Sequence, residues 1–160
     1  MDIRQDDLSG SAMAALLQEH LADMARLSPP ESTHALNLDG LRAAGVTVWS
    51  AWDGESLLGC GALQALDDRA GEIKSMRTAR GYQRQGVAAA LLRHIIAQAR
   101  QRGYVRVYLE TGSMAAFAPA RALYERFGFR YCGPFGKYRE DPNSVFMCLD
   151  LSEPGAAGSP

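Results

Sequence analysis

The hydrophobic positions of this chain follow a helical period over two long segments, from about Ser11 to Ala25 and from Gln85 to Arg102. The second segment has the clearer pattern, because its apolar residues share one face and most of its charged residues lie opposite. Gly103 then ends it. A third helix is predicted from about Ala118 to Phe127, and one or two helical turns are expected within Ser32–Arg42.

Shorter apolar runs between these segments predict the strands of a sheet. The runs are Ile3–Arg4, Thr47–Trp52, Ser56–Leu63, Glu72–Thr78, Val105–Leu109, Phe129–Tyr131 and Val145–Leu149. Gly59 and Gly61 within one run indicate a bulge or a close neighbour. Because strands and helices alternate without a repeat or linker, residues 1–151 are predicted to form one layered α/β domain. Ser152–Pro160 is small and polar, so we expect a disordered tail.

Composition narrows the classes of function. The 160 residues carry a formal net charge of −1, which gives no electrostatic reason to expect a nucleic-acid or membrane partner. The first residues are acidic and form no apolar signal segment, so a cytoplasmic protein is expected. The three cysteines lack metal-like spacing and are expected to be reduced thiols, so no metal site is predicted.

The segment Glu72–Ala88 places a polar turn between a strand and the start of a helix. The first N–H groups of a helix lack internal partners and the helix dipole adds positive charge, so this turn is a candidate anion site. Gly86 lets a phosphate approach the backbone, and Arg80, Gln83 and Arg84 add donors. The signatures of an ATP-binding loop and of a dinucleotide fold are both missing. An ordinary helix start with solvated arginines is the alternative.

Two motifs, in this order, resemble those of the GNAT superfamily of N-acetyltransferases. The run Gln83–Ala88 reads Gln-Arg-Gln-Gly-Val-Ala and is similar to the family's acetyl-CoA signature, Arg/Gln-x-x-Gly-x-Gly/Ala. The run Ala120–Phe129 is similar to its second signature, A-x-x-L-Y-x-x-x-G-F. The resemblance implies a mixed, mostly antiparallel central sheet with helices on both faces. It also implies an enzyme that transfers the acetyl group of acetyl-CoA to an amine.

The same resemblance implies roles for individual residues. The fourth strand would splay from the fifth, so that its free backbone groups bind the pantetheine arm, while the turn binds the pyrophosphate. The implied cofactor-binding residues are Met76, Arg77, Thr78, Gln83, Arg84, Gln85, Gly86, Val87 and Ala88. Tyr124 would protonate the CoA thiolate, with a half-buried packing aromatic as the alternative. Many family members carry Asn seven residues before this tyrosine, where this chain has Phe117.

A general base must accept a proton from the attacking amine. Glu72 is the first candidate, and an ion pair with Lys74 or an arginine is its alternative role. Glu110, at the end of the next strand, is the second candidate. Strict alternation predicts two faces for the strand that begins at Glu72. One face holds Glu72, Lys74, Met76 and Thr78, and the other holds Ile73, Ser75 and Arg77.

The acceptor pocket is expected where loops meet this end of the sheet. Segments 132–138 and 141–147 carry aromatic residues that contact a substrate or simply pack in a turn. A lone histidine such as His34 is more often structural, but its region often shapes an acceptor pocket. The predicted pocket residues are His34, Glu110, Phe135, Tyr138 and Phe146, which Met76 and Trp49 could join.

Three functions remain open at this point. The first is acetylation of a primary amine on a small metabolite, the second is acetylation of a protein lysine or N-terminus, and the third is non-catalytic sensing of acyl-CoA. The Gly/Pro loop Pro134–Tyr138 indicates a closed pocket, which favours a small acceptor. Tyr124 and Glu72 argue against a sensor. Because dimers are frequent in the family, a homodimer is a further expectation.

Overall fold

A computed structural model describes residues 1–152 of the chain as one seven-stranded sheet flanked by helices. The strands are β1 (Asp2–Gln5), β2 (Val46–Asp53), β3 (Ser56–Ala65), β4 (Ala70–Thr78), β5 (Arg106–Gly112), β6 (Arg130–Cys132) and β7 (Ser144–Asp150). Their order is β1-β2-β3-β4-β5-β7-β6, and only β4 and β5 pair in parallel. The predicted mixed, mostly antiparallel sheet is therefore confirmed. Apart from Ser152, the tail predicted at Ser152–Pro160 lies outside the described residues.

Helices cover both faces of the sheet, as predicted. They are α1 (Ser11–Leu27), α2 (Leu38–Leu41), α3 (Val87–Gln101) and α4 (Ala118–Arg126), with short 3-10 turns at Pro30–Ser32 and Ala115–Phe117. The larger core joins one face to α3 and α4, and a second core joins the other face to α1 and α2. Within residues 1–152, no helix combines the length and the apolar character needed to cross a membrane.

The start of α3 differs from its prediction by two residues. Periodicity placed it at Gln85, but Gly86 has a φ of 83° and therefore lies in the left-handed region, outside the helix. Arg84 is also left-handed, with a φ of 64°. The polar turn therefore ends at Gly86, and the first N–H groups of α3 follow immediately.

The parallel pair β4–β5 separates part of the way along the sheet. Backbone pairing covers only Ala70–Ile73 of β4 and Arg106–Leu109 of β5. Beyond this point β5 continues to pair with β7, while the edge of β4 that faces β5 carries unpaired backbone groups. The splay implied by the family resemblance is confirmed, and it opens a cleft between the two strands.

A bulge in β4 overturns the predicted alternation of its side chains. Cys60 pairs with Arg77 and Ala62 with Lys74, so β4 carries one extra residue, and Ser75 is left-handed with a φ of 57°. Met76 consequently packs on the α3 side with the larger core, whereas strict alternation placed it beside Lys74.

The bulge also redirects the residue after Met76. Arg77 now shares the α1 side with Lys74, because their β3 partners Cys60 and Ala62 both belong to the second core. Gly61 leaves room for the shifted strand, since a Cβ there would lie 2.5 Å from Met76 Sδ. Of the two alternatives predicted for this glycine, the close neighbour is present at Gly61 itself, while the bulge lies in the paired strand β4.

Candidate active site

The cleft between β4 and β5 widens into a cavity of about 460 Å³. Its walls come from α1, the segment after α1, β4, the end of β5, the start of α4 and Tyr138. It brings together nine predicted residues: His34, Glu72, Met76, Arg77, Thr78, Gln83, Glu110, Tyr124 and Tyr138. Seven others do not line it: Arg84, Gln85, Gly86, Val87, Ala88, Phe135 and Phe146.

The turn before α3 has the features of an anion site. The first intrahelical hydrogen bond runs from Ala90 N to Gly86 O at 3.0 Å, so the N–H groups of the three preceding helical residues point out of the helix end. In the described part of the chain, no side chain caps this end and its first turn holds no acidic residue. An anion would therefore meet free donors and the positive end of the dipole.

Two glutamine side chains brace this turn from within. Gly81 N donates to Gln83 Oε1 at 2.9 Å, and Gln85 Nε2 donates to Gly81 O at 3.3 Å. Their amides therefore fix the shape of the turn, and backbone N–H groups are left as the main donors to a ligand. Gly86 is exposed, and a Cβ built on it would meet nothing within 4 Å.

The side chain of Arg77 is engaged away from the strand edge. Its Nη2 donates to Glu19 at 2.6 Å and to Asp23 at 2.5 Å, both on α1. The hydrogen bond from Arg77 lowers the pKa of Asp23 below its usual value. Only the backbone of Arg77 is therefore available to a cofactor in the cleft.

Tyr124 lies on α4 with its ring buried at the cavity wall. Burial, together with the neighbouring Glu110 carboxylate, raises its pKa to about 12. The hydroxyl thus keeps its proton at neutral pH, as a general acid requires. The ring also meets Phe129 edge-on at 5.7 Å, so the packing role coexists with the chemical one.

The two candidate bases differ in their partners. Glu72 is buried, and its Oε2 accepts hydrogen bonds from the Tyr138 hydroxyl at 2.5 Å and from Lys74 Nζ at 3.1 Å. The ion pair considered as its alternative role is therefore present. Glu110 forms no ion pair within residues 1–152, and burial raises its pKa above the usual value. Glu110 is thus the candidate whose pKa is shifted upward, in the direction that favours a general base.

The aromatic residues of the loop between β6 and β7 form a layer behind the cavity. Phe135 stacks on Tyr108 at 4.8 Å and meets Tyr138 and Phe146 at 4.9 and 5.9 Å. Phe135 and Phe146 therefore support Tyr138 from behind, which was the alternative reading of this loop. The edge of His34 meets the ring of Tyr138 at 4.9 Å, and both line the cavity.

Sequence reasoning missed His20, which lines the cavity from α1. Its side chain is buried, and burial followed by the charge of Arg77 lowers its pKa to about 4. Its helical spacing from Leu16 and Leu17 on the apolar face was the available signal. Among residues 1–152, no three His, Cys, Asp or Glu side chains lie together as metal ligands.

Phe117 occupies the position where many family members carry asparagine. Its ring lies over Gly112, where a Cβ would come within 2.3 Å of the ring. Arg121 Nη1 holds the adjoining backbone by donating to the carbonyls of Gly112 and Met114 at 2.7 and 3.0 Å. The apolar ring therefore forms part of the cavity wall next to Tyr124.

This splayed sheet, with an anion site at a helix start and a buried tyrosine, defines a class of acyl-CoA transferase. Residues 13–129 match the family model described as "Acetyltransferase (GNAT) family", and the chain belongs to that family. It is 60% identical over 151 residues to the "Uncharacterized N-acetyltransferase YsnE" of Bacillus subtilis, covering 94% of this chain and 100% of that protein.

Two further similarities broaden the comparison. The chain is 38% identical over 141 residues to the "IAA acetyltransferase" of Azospirillum brasilense, covering 85% of this chain and 88% of that protein. It shares its fold with a GNAT family acetyltransferase from Elizabethkingia anophelis, solved with acetyl-CoA bound. That similarity has a TM-score of 0.66 and 18% identity, and it covers 94% of this chain and 97% of the other.

Proposed function

We propose that this protein transfers the acetyl group of acetyl-CoA to a primary amine of a small metabolite, by direct attack in a ternary complex. One observation carries the proposal: the unpaired edge of β4 leads into a cavity that is lined by both Tyr124 and Glu110. A donor thioester on that edge would therefore meet a proton donor and a proton acceptor in one cavity.

Acetyl-CoA would lie along the cleft with its pyrophosphate on the turn Gln83–Ala88. The backbone of Met76–Thr78 would hold the pantetheine arm, and a free N–H of this edge would polarise the thioester carbonyl. The acetyl-CoA-bound enzyme of similar fold supports this choice of cofactor. No metal is needed for any step.

The reaction would use Glu110 to remove a proton from the acceptor amine and Tyr124 to supply a proton to the CoA thiolate. Glu110 takes a proton from the acceptor's ammonium group, and the freed amine attacks the thioester carbonyl carbon. The resulting tetrahedral intermediate collapses with cleavage of the carbon–sulfur bond. Tyr124 donates its proton to the departing CoA thiolate, and the second proton of the amide nitrogen returns through water to the Tyr124 phenolate. Glu110 then releases its proton to solvent, so the products are the neutral acetamide, CoA as its thiol and one proton. We assign the base to Glu110 rather than Glu72, because Glu72 is already neutralised by Lys74.

Contacts at the edge of the cavity favour a small acceptor over a protein. Ser32 Oγ donates to Asp141 Oδ2 at 2.5 Å, and His34 meets Tyr138 nearby. These pairs join the segment after α1 to the loop between β6 and β7. A peptide would need an open groove at this place. The cytoplasmic location and the homodimer stay predictions.

Replacing Tyr124 by Phe tests the proposed chemistry. The variant keeps the packed ring but removes the proton donor, so turnover with an amine acceptor should fall by about a hundredfold. Affinity for acetyl-CoA, measured by calorimetry, should stay within about twofold, since the hydroxyl is used after binding. Unchanged turnover would remove Tyr124 as the acid. Acetyl-CoA binding without turnover on any amine or peptide would point to a sensor.

A further inference from the structure

The cationic side chains that line the cavity are already neutralised by carboxylates. Lys74 Nζ lies 3.1 Å from Glu72, and both side chains are less than a tenth exposed. Arg77 lies 2.6 Å from Glu19 and 2.5 Å from Asp23.

The third cation of the wall, Arg80, belongs to the same cluster. It contacts Glu19 at 3.1 Å and Asp23 at 3.3 Å, so it shares both carboxylates with Arg77. Arg26, which does not line the cavity, also reaches Asp23 at 3.4 Å. Together with the lysine pair, these contacts give each of the three lining cations at least one carboxylate partner.

The histidines of the wall do not change this balance. His20 is neutral at pH 7, because burial holds its pKa at about 4. The hydrogen bond from Ser32 is the main cause of the lowered pKa of Asp141, and nearby His34 lowers it further, so His34 has a carboxylate beside it. Glu110 is therefore the cavity's unmatched charge within the described residues, and it is negative.

The rest of the wall is uncharged and mixes apolar with hydroxyl and amide side chains. Its apolar part includes Met24, Leu27, Ile73, Phe117 and the ring of Tyr138. Such a surface accepts an aliphatic or aromatic body, and its neutral polar groups do not neutralise a charge. A charged group that enters must therefore find its partner among the ionised residues described above.

We propose that the natural acceptor is a cationic amine with an apolar body and no carboxylate beside its amino group. The proposal rests on the function proposed above and names the substrate class of that site. The ammonium group is attracted to Glu110, whereas an acceptor carboxylate would be repelled by Glu110 and would find every cation already paired. Burying an unpaired carboxylate is strongly unfavourable.

Matched acceptors test this directly. Tryptamine, tryptophan and tryptophanamide share one indole body. The carbon that bears the amine carries no further substituent in tryptamine, a carboxylate in tryptophan and a neutral amide in tryptophanamide. CoA release measured with each should give a kcat/KM for tryptamine and tryptophanamide at least about tenfold above that for tryptophan. Phenylethylamine, phenylalanine and phenylalaninamide repeat the comparison with a smaller body. Indole-3-acetate, which the name of one relative indicates, should give no turnover.

Each outcome of this comparison has a distinct meaning. Amino acids that react as well as their amides would overturn the inference but leave amine acetylation intact. If kcat/KM for the amides is as low as for the amino acids, the site discriminates by the size of the substituent and not by its charge, which also overturns the inference. If acetyl-CoA binds but no amine of either series reacts, the proposed function itself fails.

Glu72→Gln provides a test within the protein, because it frees the charge of Lys74 inside the cavity. The preference for tryptophanamide over tryptophan should fall by about tenfold in this variant. The double variant Glu72→Gln/Lys74→Met has no free lysine charge, so the preference should return. The readout is a ratio within one preparation, so a general loss of activity does not affect it.

Asp23→Asn offers a second route if Glu72→Gln does not fold. It removes one of the two carboxylates shared by Arg77 and Arg80, and it should lower the same ratio. A ratio that stays unchanged in the folded variants would overturn the inference that paired charges set the choice of acceptor.

Discussion

At the residue scale, two glutamates in one cavity have different properties because their neighbours differ. Glu72 accepts a hydrogen bond from the Tyr138 hydroxyl and forms an ion pair with Lys74, so its negative charge is compensated. Glu110 has no such partner among residues 1–152, and burial raises its pKa. The sequence predicted both residues as candidates. It ranked Glu72 first without the contact from Tyr138, which reaches Glu72 only through the folded loop.

Glu110→Gln should identify the base. Because a base must be deprotonated, kcat/KM should rise with pH through the pKa of Glu110, which lies above the usual range for glutamate. The glutamine variant should lose this acidic limb, and at neutral pH its kcat/KM should fall by about a hundredfold. A pH–rate series on both proteins provides the measurement. A limb that persists in Glu110→Gln but disappears in Glu72→Gln would assign the base to Glu72 instead.

His20 predicts a pH dependence of stability. Its folded pKa of about 4 lies below the ordinary value of 6.5, so the unfolded chain binds the proton more tightly. Its contribution is complete above pH 6.5 and is lost as pH falls toward 4, by up to about 3 kcal/mol. Urea unfolding at pH 7 and pH 4.5 should show a smaller loss for His20→Leu than for the wild type. Equal losses would contradict the assignment, and His94→Leu is the control at a more exposed histidine.

At the element scale, the turn before α3 and the bulge in β4 shape the cleft beside β4 in which we propose that the cofactor binds. The sequence predicted the turn, because a glycine at a helix start has a clear physical role. It predicted a bulge near Gly59 and Gly61 but not its effect on β4. The extra residue at Ser75 follows from pairing with a different strand, which periodicity within one strand does not contain.

Gly86→Ala and Gly103→Ala form a matched pair at the two ends of α3. Both glycines are left-handed, with φ values of 83° and 80°, and a Cβ on either meets nothing within 4 Å. Each substitution should therefore cost about 1–2 kcal/mol of unfolding free energy. Only Gly86→Ala should also weaken CoA binding in calorimetry, by at least about tenfold, because its methyl group would occupy the pyrophosphate position. Equal CoA affinity in the two variants would refute the phosphate site.

At the scale of the whole molecule, the order of motifs along the chain predicted the fold more completely than it predicted the site. The sheet, the helices on both faces and the splay of β4 agree with expectation. The loop Pro134–Tyr138 predicted a closed acceptor pocket, but the contacts that border this side could not be predicted, because they join distant segments. Ser32 and Asp141 are separated by 109 positions, and neither carries a local signal for the other.

Two-substrate kinetics test the central claim that donor and acceptor occupy one cavity together. Initial rates of CoA release are measured while acetyl-CoA and an amine are varied independently. The account predicts intersecting lines in double-reciprocal plots, and no acetylated protein by intact mass after mixing with acetyl-CoA alone. Parallel lines together with a protein that carries one acetyl group would contradict direct transfer.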